Sequence, residues 1–155
     1  MIINRFVLSV AILTLAQGVE ATQSKDTLPF ARESIVKRYL NNLQKADYQN
    51  MTQLFEKGGI VISTSRGKVD AKEFFYAFLP DLVSAHTELH HYFVSATDAN
   101  RVAVRFHFSF KLKDGEVGQG EYIDEFVFSP HSDKLAAVYM FENIKFNTMI
   151  DGVVA

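Results

Sequence analysis

The chain has 155 residues, a length that suits one domain, and 48% of them are hydrophobic, so we expect a sizeable core. The formal net charge of -2 gives no electrostatic footprint for nucleic acid, so we expect no nucleic-acid partner. The sequence contains no cysteine, which excludes a disulfide framework and a lipoprotein anchored through cysteine.

The first 21 residues have the pattern of a secretory signal peptide. Arg5 closes a short positive region, an apolar run follows from Phe6 to Ala16, and Val19-Glu20-Ala21 places small residues where a signal peptidase reads. The alternative is a membrane anchor, but the apolar run is short for a bilayer. We therefore expect cleavage of residues 1–21, a leader over 22–29, no membrane association after processing, and a secreted or periplasmic location.

Two helices are predicted next. The first has four apolar residues at positions i, i+3, i+4 and i+7, which lie on one face of a helix. These residues are Val36, Tyr39, Leu40 and Leu43. Asp47 can cap a second, short helix, which we expect to carry Leu54 and Phe55 and to end at Gly58-Gly59.

A third helix is predicted after a short strand and a turn. The strand is Ile60-Val61-Ile62, and the turn runs from Ser63 to Gly67. Asp70 and Glu73 have the spacing of a capping box at the start of the helix. Pro80 ends it, because the residue before a proline is disfavoured in the helical conformation.

From His86 onward the hydrophobic period changes to two, which predicts four strands of an antiparallel meander. The predicted strands are 86–97, 101–112, 118–128 and 135–141. Helices followed by a meander indicate an α+β domain, in which a curved, mostly antiparallel sheet wraps over three N-terminal helices and encloses a cone. The mouth of such a cone suits a small ligand.

Asp124 is the most informative residue for function. It shares a strand face with Tyr122, Phe126 and Phe128, and an acid on an aromatic face needs either a partner or a chemical use. If Asp114-Gly115 forms a two-residue turn, Asp124 lies opposite Arg105 and the two form a structural ion pair. A one-residue bulge would instead place Asp124 opposite Phe106, inside the cone.

The order of elements resembles the nuclear transport factor 2-like superfamily, which includes SnoaL-like polyketide cyclases and ketosteroid isomerase. The resemblance covers about residues 30–146, followed by a tail over 147–155. Lys37-Arg38-Tyr39-Leu40 resembles the helical opening of the isomerases, and the strand around Asp124 resembles their acid-containing strand. By this resemblance Tyr39 matches the oxyanion-hole tyrosine and Asp124 matches the protonated aspartic acid, a pair that would polarise a carbonyl oxygen.

The sequence departs from the isomerases at the general base. They need a carboxylate at the end of the first strand, where this chain has Ser63 or Thr64. Neither hydroxyl takes a carbon-bound proton unaided. A substitute base from three other positions stays open: Asp70, His86 and Glu142.

Two facing histidines are the nearest approach to a metal site. If the turn between the first two long strands centres on Ala99, His91 lies opposite His107. A metal site needs a third ligand, and none occurs at a usual spacing, so we expect no metal. No cofactor motif is present either, and we expect no cofactor.

These observations lead to one predicted site and three functional hypotheses. The site is an apolar pocket with seven lining residues: Tyr39, Phe78, Phe108, Tyr122, Asp124, Phe126 and Met140. The first hypothesis is the binding of a small hydrophobic molecule, and the second is an isomerase- or cyclase-type enzyme that uses Tyr39 and Asp124. For Tyr39, the alternative to a role in the site is that of an aromatic side chain packed in the core. The third hypothesis is an interaction module, in which the cone is filled by its own side chains and protein binds the tail or the polar face of strand 101–112. We expect a homodimer through that face.

Overall fold

A computed structural model describes residues 27–142, with side chains from residue 31 onward. The predicted signal peptide and the tail over 147–155 lie outside the described residues. Three helices are present within them, as the sequence predicted, together with one 3₁₀ turn that was not predicted. Their bounds are α1 Thr27–Gln44, α2 Tyr48–Thr52, α3 Ala71–Tyr76 and the 3₁₀ turn Leu79–Asp81. Helix α1 thus begins inside the predicted leader. Over residues 27–142, no helix has the length and apolar character needed to cross a membrane.

In the described part of the chain the sheet has six strands in the order β2-β1-β6-β5-β4-β3. Their bounds are β1 Phe55–Ser63, β2 Gly67–Asp70, β3 Leu82–Val94, β4 Arg101–Leu112, β5 Val117–Phe128 and β6 Leu135–Glu142. Neighbouring strands run antiparallel except β1 and β6, which run parallel. The helices pack against this curved sheet, so the predicted α+β class and cone-like architecture are confirmed.

Helix α1 lies on the sheet as its apolar spacing predicted. The four residues of its apolar face are all buried. Two polar contacts fix its position. The Arg32 guanidinium lies 5.0 Å from the centre of the Phe128 ring and donates to Oδ1 of Asn100 at 2.8 Å. At the other end of α1, the amide oxygen of Gln44 accepts a bond from the backbone N–H of Thr87 at 3.0 Å.

The predicted second helix was wrong beyond Thr52. Leu54 and Phe55 are buried, but Phe55 begins β1 and pairs with Leu135 of β6, while the backbone N–H of Leu135 donates to the carbonyl of Leu54 at 2.8 Å. Gly58, at φ +78°, lies in the bulge that separates this pairing from the one that begins at Ile60. Asp70 caps α3 as predicted, since its Oδ1 accepts from two backbone N–H groups. The strand β2 before it was missed.

Both predicted partners of Asp124 were wrong. Asp124 pairs with Val104, because the loop between β4 and β5 is longer than a two-residue turn and Lys111 pairs with Val117. Gly115, at φ +95°, lies at the tip of that loop. Val104 is buried, so Asp124 faces the interior, as the bulge alternative implied.

The predicted pairing of two histidines was also wrong. A bulge in β3 shifts the register between Leu89 and His91, so His91 pairs with Arg105 and His107 pairs with Glu88. Over residues 27–142, no three His, Asp or Glu side chains are grouped so that they could hold a metal ion.

Candidate functional site

A cavity of about 240 Å³ lies between α1, α3 and the concave face of the sheet. Eight of its lining residues are aromatic: Tyr39, Phe74, Phe75, Phe78, Phe106, Phe108, Phe110 and Tyr122. The remaining lining residues are Leu43, Ser65, Arg66, Glu116, Asp124, Met140 and Glu142. Since an apolar protein cavity of roughly 150 Å³ already admits benzene, this one has room for a substituted ring.

The cavity contains all but one of the residues predicted to line it. Phe126 is the exception, since its side chain does not reach the cavity lining. Its ring meets the Tyr39 ring edge-on, with the ring centres 4.9 Å apart. The Phe75 ring makes a second edge-on contact with Tyr39, with the ring centres 6.0 Å apart. Phe126 therefore supports the tyrosine rather than the contents of the cavity.

Tyr39 and Asp124 meet at the wall of the cavity, although 85 residues separate them in the sequence. Helix α1 supplies the phenol and β5 supplies the acid, which is 2% exposed. The Tyr39 hydroxyl donates to Oδ2 of Asp124 at 3.1 Å. The hydroxyl of the phenol is thus hydrogen-bonded to the acid itself.

Burial raises the pKa of Asp124 to about 7, because removing the carboxylate from water disfavours its charged form. The bond from Tyr39 lowers that pKa, and the negative charge of Glu142 raises it. Burial also raises the pKa of Tyr39 well above its ordinary value, with a further contribution from the charge of Asp124. The tyrosine is therefore a donor at every physiological pH, whereas the acid changes its protonation state near neutrality.

The second carboxyl oxygen of Asp124 has no hydrogen-bond partner among the described residues. A buried polar atom left unpaired costs about 1–3 kcal/mol. Because Oδ2 is taken by Tyr39 and Asp124 lines the cavity, Oδ1 is the oxygen with capacity to bond a molecule there.

Four polar side chains line the cavity where it opens to solvent, and all four are exposed: Ser65, Arg66, Glu116 and Glu142. The Arg66 guanidinium lies 5.6 Å from the centre of the Phe74 ring. Burial, followed by the charges of Glu142 and Asp124, raises the pKa of Tyr122. The mouth is thus charged while the interior is aromatic.

The structure places the candidate bases in different surroundings. Ser63 is buried at the end of β1, and its Oγ accepts from the backbone N–H of Arg66 at 3.1 Å, so it closes a turn. Asp70 caps α3, and His86 lies on β3 away from the cavity lining. Glu142 is the one of the three proposed substitutes that lines the cavity.

Several lining residues were missed by sequence reasoning. Phe106 and Phe110 carried a usable signal, because they alternate with the predicted Phe108 on the same face of β4. Arg66 and Glu116 carried none, because they lie in loops, whose side chains no hydrophobic period orients.

The polar face of β4 lies on the outside of the sheet. Glu121 of β5 contacts several side chains there. The Arg105 guanidinium donates to its Oε2 at 3.0 Å, and Nδ1 of His107 lies 3.2 Å from its Oε1. Nε2 of His90 lies 3.6 Å from the same Oε1. This cluster is partly exposed and does not reach the cavity.

No family model matches the chain, and no curated protein matches it. Solved structures do match. The chain is similar to an NTF2-like protein of unknown function from Exiguobacterium, with 12% identity, a TM-score of 0.59 and coverage of 70% of this chain and 98% of that chain. It is similar to a ketosteroid isomerase-like protein from Erwinia carotovora atroseptica, with 18% identity, a TM-score of 0.57 and coverage of 74% and 95%.

A putative SnoaL-like polyketide cyclase from Jannaschia is also similar, with 13% identity, a TM-score of 0.61 and coverage of 77% of this chain and 90% of that chain. These identities are low, so the likeness concerns the fold. The chain has the nuclear transport factor 2-like fold, as its order of elements indicated.

Proposed function

We propose that this chain, with its nuclear transport factor 2-like fold, binds a small, largely apolar molecule in the aromatic cavity. The observation that carries the proposal is Oδ1 of Asp124, a buried oxygen that has no partner within residues 27–142 and belongs to a residue on the wall of a cavity large enough for a ring. A ligand with one polar group would bond Oδ1 and bury its apolar part against the phenylalanines. The argument against a cone filled by its own side chains is the cavity itself.

Calorimetry with 2-naphthol, a small neutral aromatic, tests this proposal. Phe108→Ala removes a ring from the wall, and we expect it to weaken binding at least several-fold through lost apolar contact. Phe93→Ala is the matched control, because Phe93 is half exposed on β3 and does not line the cavity. Absence of binding by the native protein, or equal loss in both variants, would refute a ligand-binding cavity.

A second candidate function is proton transfer on a carbonyl substrate. It is favoured by Glu142, which lines the same cavity as Asp124 and whose carboxyl group would serve as the base, a role that the hydroxyls of Ser63 and Thr64 cannot fill. The test is exchange of deuterium from solvent into cyclohexanone, followed by NMR. Glu142→Gln and Asp124→Asn should each abolish the exchange, and exchange that survives in both would remove this candidate.

We also propose that the protein is exported after cleavage of residues 1–21 and forms a homodimer through the outer face of the sheet. The dimer is supported by two exposed apolar side chains that pair across β5 and β6, Ile123 at 45% and Phe141 at 53% exposure. Ile123→Lys should convert the dimer to a monomer in light scattering. A native protein that is monomeric at tens of micromolar would contradict the proposal.

A further inference from the structure

We propose that the ligand of this cavity is an organic cation, a small arylalkyl amine whose ammonium group bonds Oδ1 of Asp124 in its carboxylate form. The inference rests on the proposed function, because it needs a cavity that takes a ligand. It goes further by assigning the charge of the ligand and the proton that leaves when it binds.

The charge of the lining supports a cation. Three acids, Asp124, Glu116 and Glu142, face one base, Arg66, among the described residues of the lining. With Asp124 neutral the lining carries a net negative charge, and ionisation of Asp124 makes it more negative. A negatively charged cavity lining raises the local concentration of cations.

The aromatic walls support the same ligand class. The face of an aromatic ring attracts a cation through its quadrupole, and the attraction grows when water is excluded. The chain already uses one lining ring in this way, since Arg66 lies over Phe74 at the mouth. Tyr39, Phe108 and Tyr122 supply further rings to the same lining, and the Tyr39 ring is bonded to Asp124 through its hydroxyl.

The hydrogen bond between Tyr39 and Asp124 favours a ligand that donates a hydrogen bond to Oδ1. The Tyr39 hydroxyl donates to Oδ2, and donation to a carboxyl oxygen favours the ionised form. An ionised carboxyl group only accepts hydrogen bonds, so Oδ1 then needs an N–H or O–H from the ligand. An ammonium group supplies three such donors together with the compensating charge, and charge-assisted bonds are about twice as strong as neutral ones.

Binding of an amine must displace a proton from Asp124. In the empty cavity burial raises the pKa of Asp124 to about 7, so at pH 6 the acid is mostly protonated. The ammonium keeps its own proton, and the proton of Asp124 passes to the solvent. The other titratable groups that face Asp124 are Tyr39 from α1, Tyr122 from β5 and Glu142 from β6, while Val104 of β4 is apolar. The two tyrosines stay protonated, and an ionised Glu142 favours the cation.

The experiment compares 2-phenylethylamine with 2-phenylethanol, which differ at one group, by calorimetry in two buffers of different ionisation enthalpy. We expect the amine to bind about tenfold or more tightly than the alcohol. At pH 6 the amine should release about one proton per molecule bound, and at pH 8.5 close to none. The alcohol should release no proton at either pH.

Single-residue variants test which side chains cause the preference for the amine and the proton release. Asp124→Asn should abolish both the preference for the amine and the proton release, and Glu142→Gln should reduce the preference. Arg66→Gln should strengthen amine binding several-fold, because it removes a positive charge from the lining that opposes the ammonium group. Asp133→Asn is the matched control, because Asp133 is exposed and remote from the lining, and it should change neither result.

The outcomes separate the two proposals. Binding of the alcohol as tightly as the amine, proton uptake with the amine, or an amine preference that survives Asp124→Asn would each overturn the cation and leave the binding cavity standing. Failure of both compounds and of 2-naphthol to bind the native protein would overturn the proposed function and this inference together.

Discussion

Replacement of Asp124 by asparagine should stabilise the folded protein above neutral pH. Burial is the main cause that raises the pKa of this carboxyl from 3.8 to about 7 on folding, a difference worth about 4 kcal/mol. Between these two pKa values the folded state holds a proton that the unfolded state has lost. The free energy of unfolding therefore falls as the pH rises from about 4 to about 7, and the loss is complete above that range.

Asparagine has the shape of the protonated acid and does not titrate. Its amide oxygen can accept the bond from Tyr39 that Oδ2 accepts now. Near pH 4 the native protein and Asp124→Asn should thus have similar stability. At pH 8 the variant should be more stable by up to about 4 kcal/mol, and the gap should open within that window.

Urea unfolding at several pH values measures this gap. The chain has no tryptophan, so far-UV circular dichroism or the fluorescence of its 6 tyrosines reports unfolding. Asp133→Asn is the control, because it removes an exposed carboxylate and should give a difference that barely depends on pH. A gap between the native protein and Asp124→Asn that stays constant from pH 4 to pH 8 would refute the assigned burial cost. A gap that closes as the pH rises would show that the carboxylate is the stabilised form.

Three further predictions concern single sites. Tyr39→Phe should raise the pKa of Asp124 further in an NMR titration, because it removes the bond that favours the carboxylate. Gly118→Ala should cost about 1–3 kcal/mol in urea unfolding and weaken ligand binding, because its Cβ would lie 2.2 Å from the Phe110 ring of the cavity wall. Protein recovered from the medium or periplasm should begin near Thr22 by intact mass, and a mass that retains residues 1–21 would contradict export by cleavage.

The hydrophobic periods predicted most of the fold because they record which face of an element is buried. The apolar spacing of α1 identified its core face, and alternation gave the bounds 101–112 of β4 correctly. The period also decides the register where the turn does not. Placing Asp124 opposite Arg105 would have set the aromatic face of β5 against the polar face of β4, and pairing with Val104 brings the two apolar faces together.

The first part of β1, from Phe55 to Gly59, could not be predicted from local patterns, although the strand at Ile60-Val61-Ile62 was. Its partner, β6, is about 80 residues away in the sequence and runs parallel to it, so no local turn signals the pairing. Gly58-Gly59 has the composition of a helix end, yet Gly58 forms the bulge that realigns β1 with β6. The predicted helix was therefore extended through Leu54 and Phe55, which are buried in either conformation.

The site was predictable only in part, because the sequence pattern indicates its aromatic lining but not the contact between Tyr39 and Asp124. The aromatic lining followed from strand alternation, whereas the approach of Tyr39 to Asp124 followed from the resemblance to the isomerases and not from spacing. The hydrogen bond from Tyr39 to Asp124 was expected neither from strand alternation nor from the resemblance. In the predicted pair both groups would point at one ligand oxygen, but the Tyr39 hydroxyl is 3.1 Å from the acid.

The energetics of Asp124 link stability to binding. A buried acid whose pKa rises on folding destabilises the protein above neutral pH, and its unpaired Oδ1 adds a further cost. A leucine or methionine of similar volume would avoid both costs in a cavity that served only as core. A ligand that supplies a donor to Oδ1 removes the second cost, and one that also supplies a positive charge offsets the first. Binding should therefore raise the melting temperature more at pH 8 than at pH 5 for a cation, and by similar amounts for a neutral ligand that only fills the cavity.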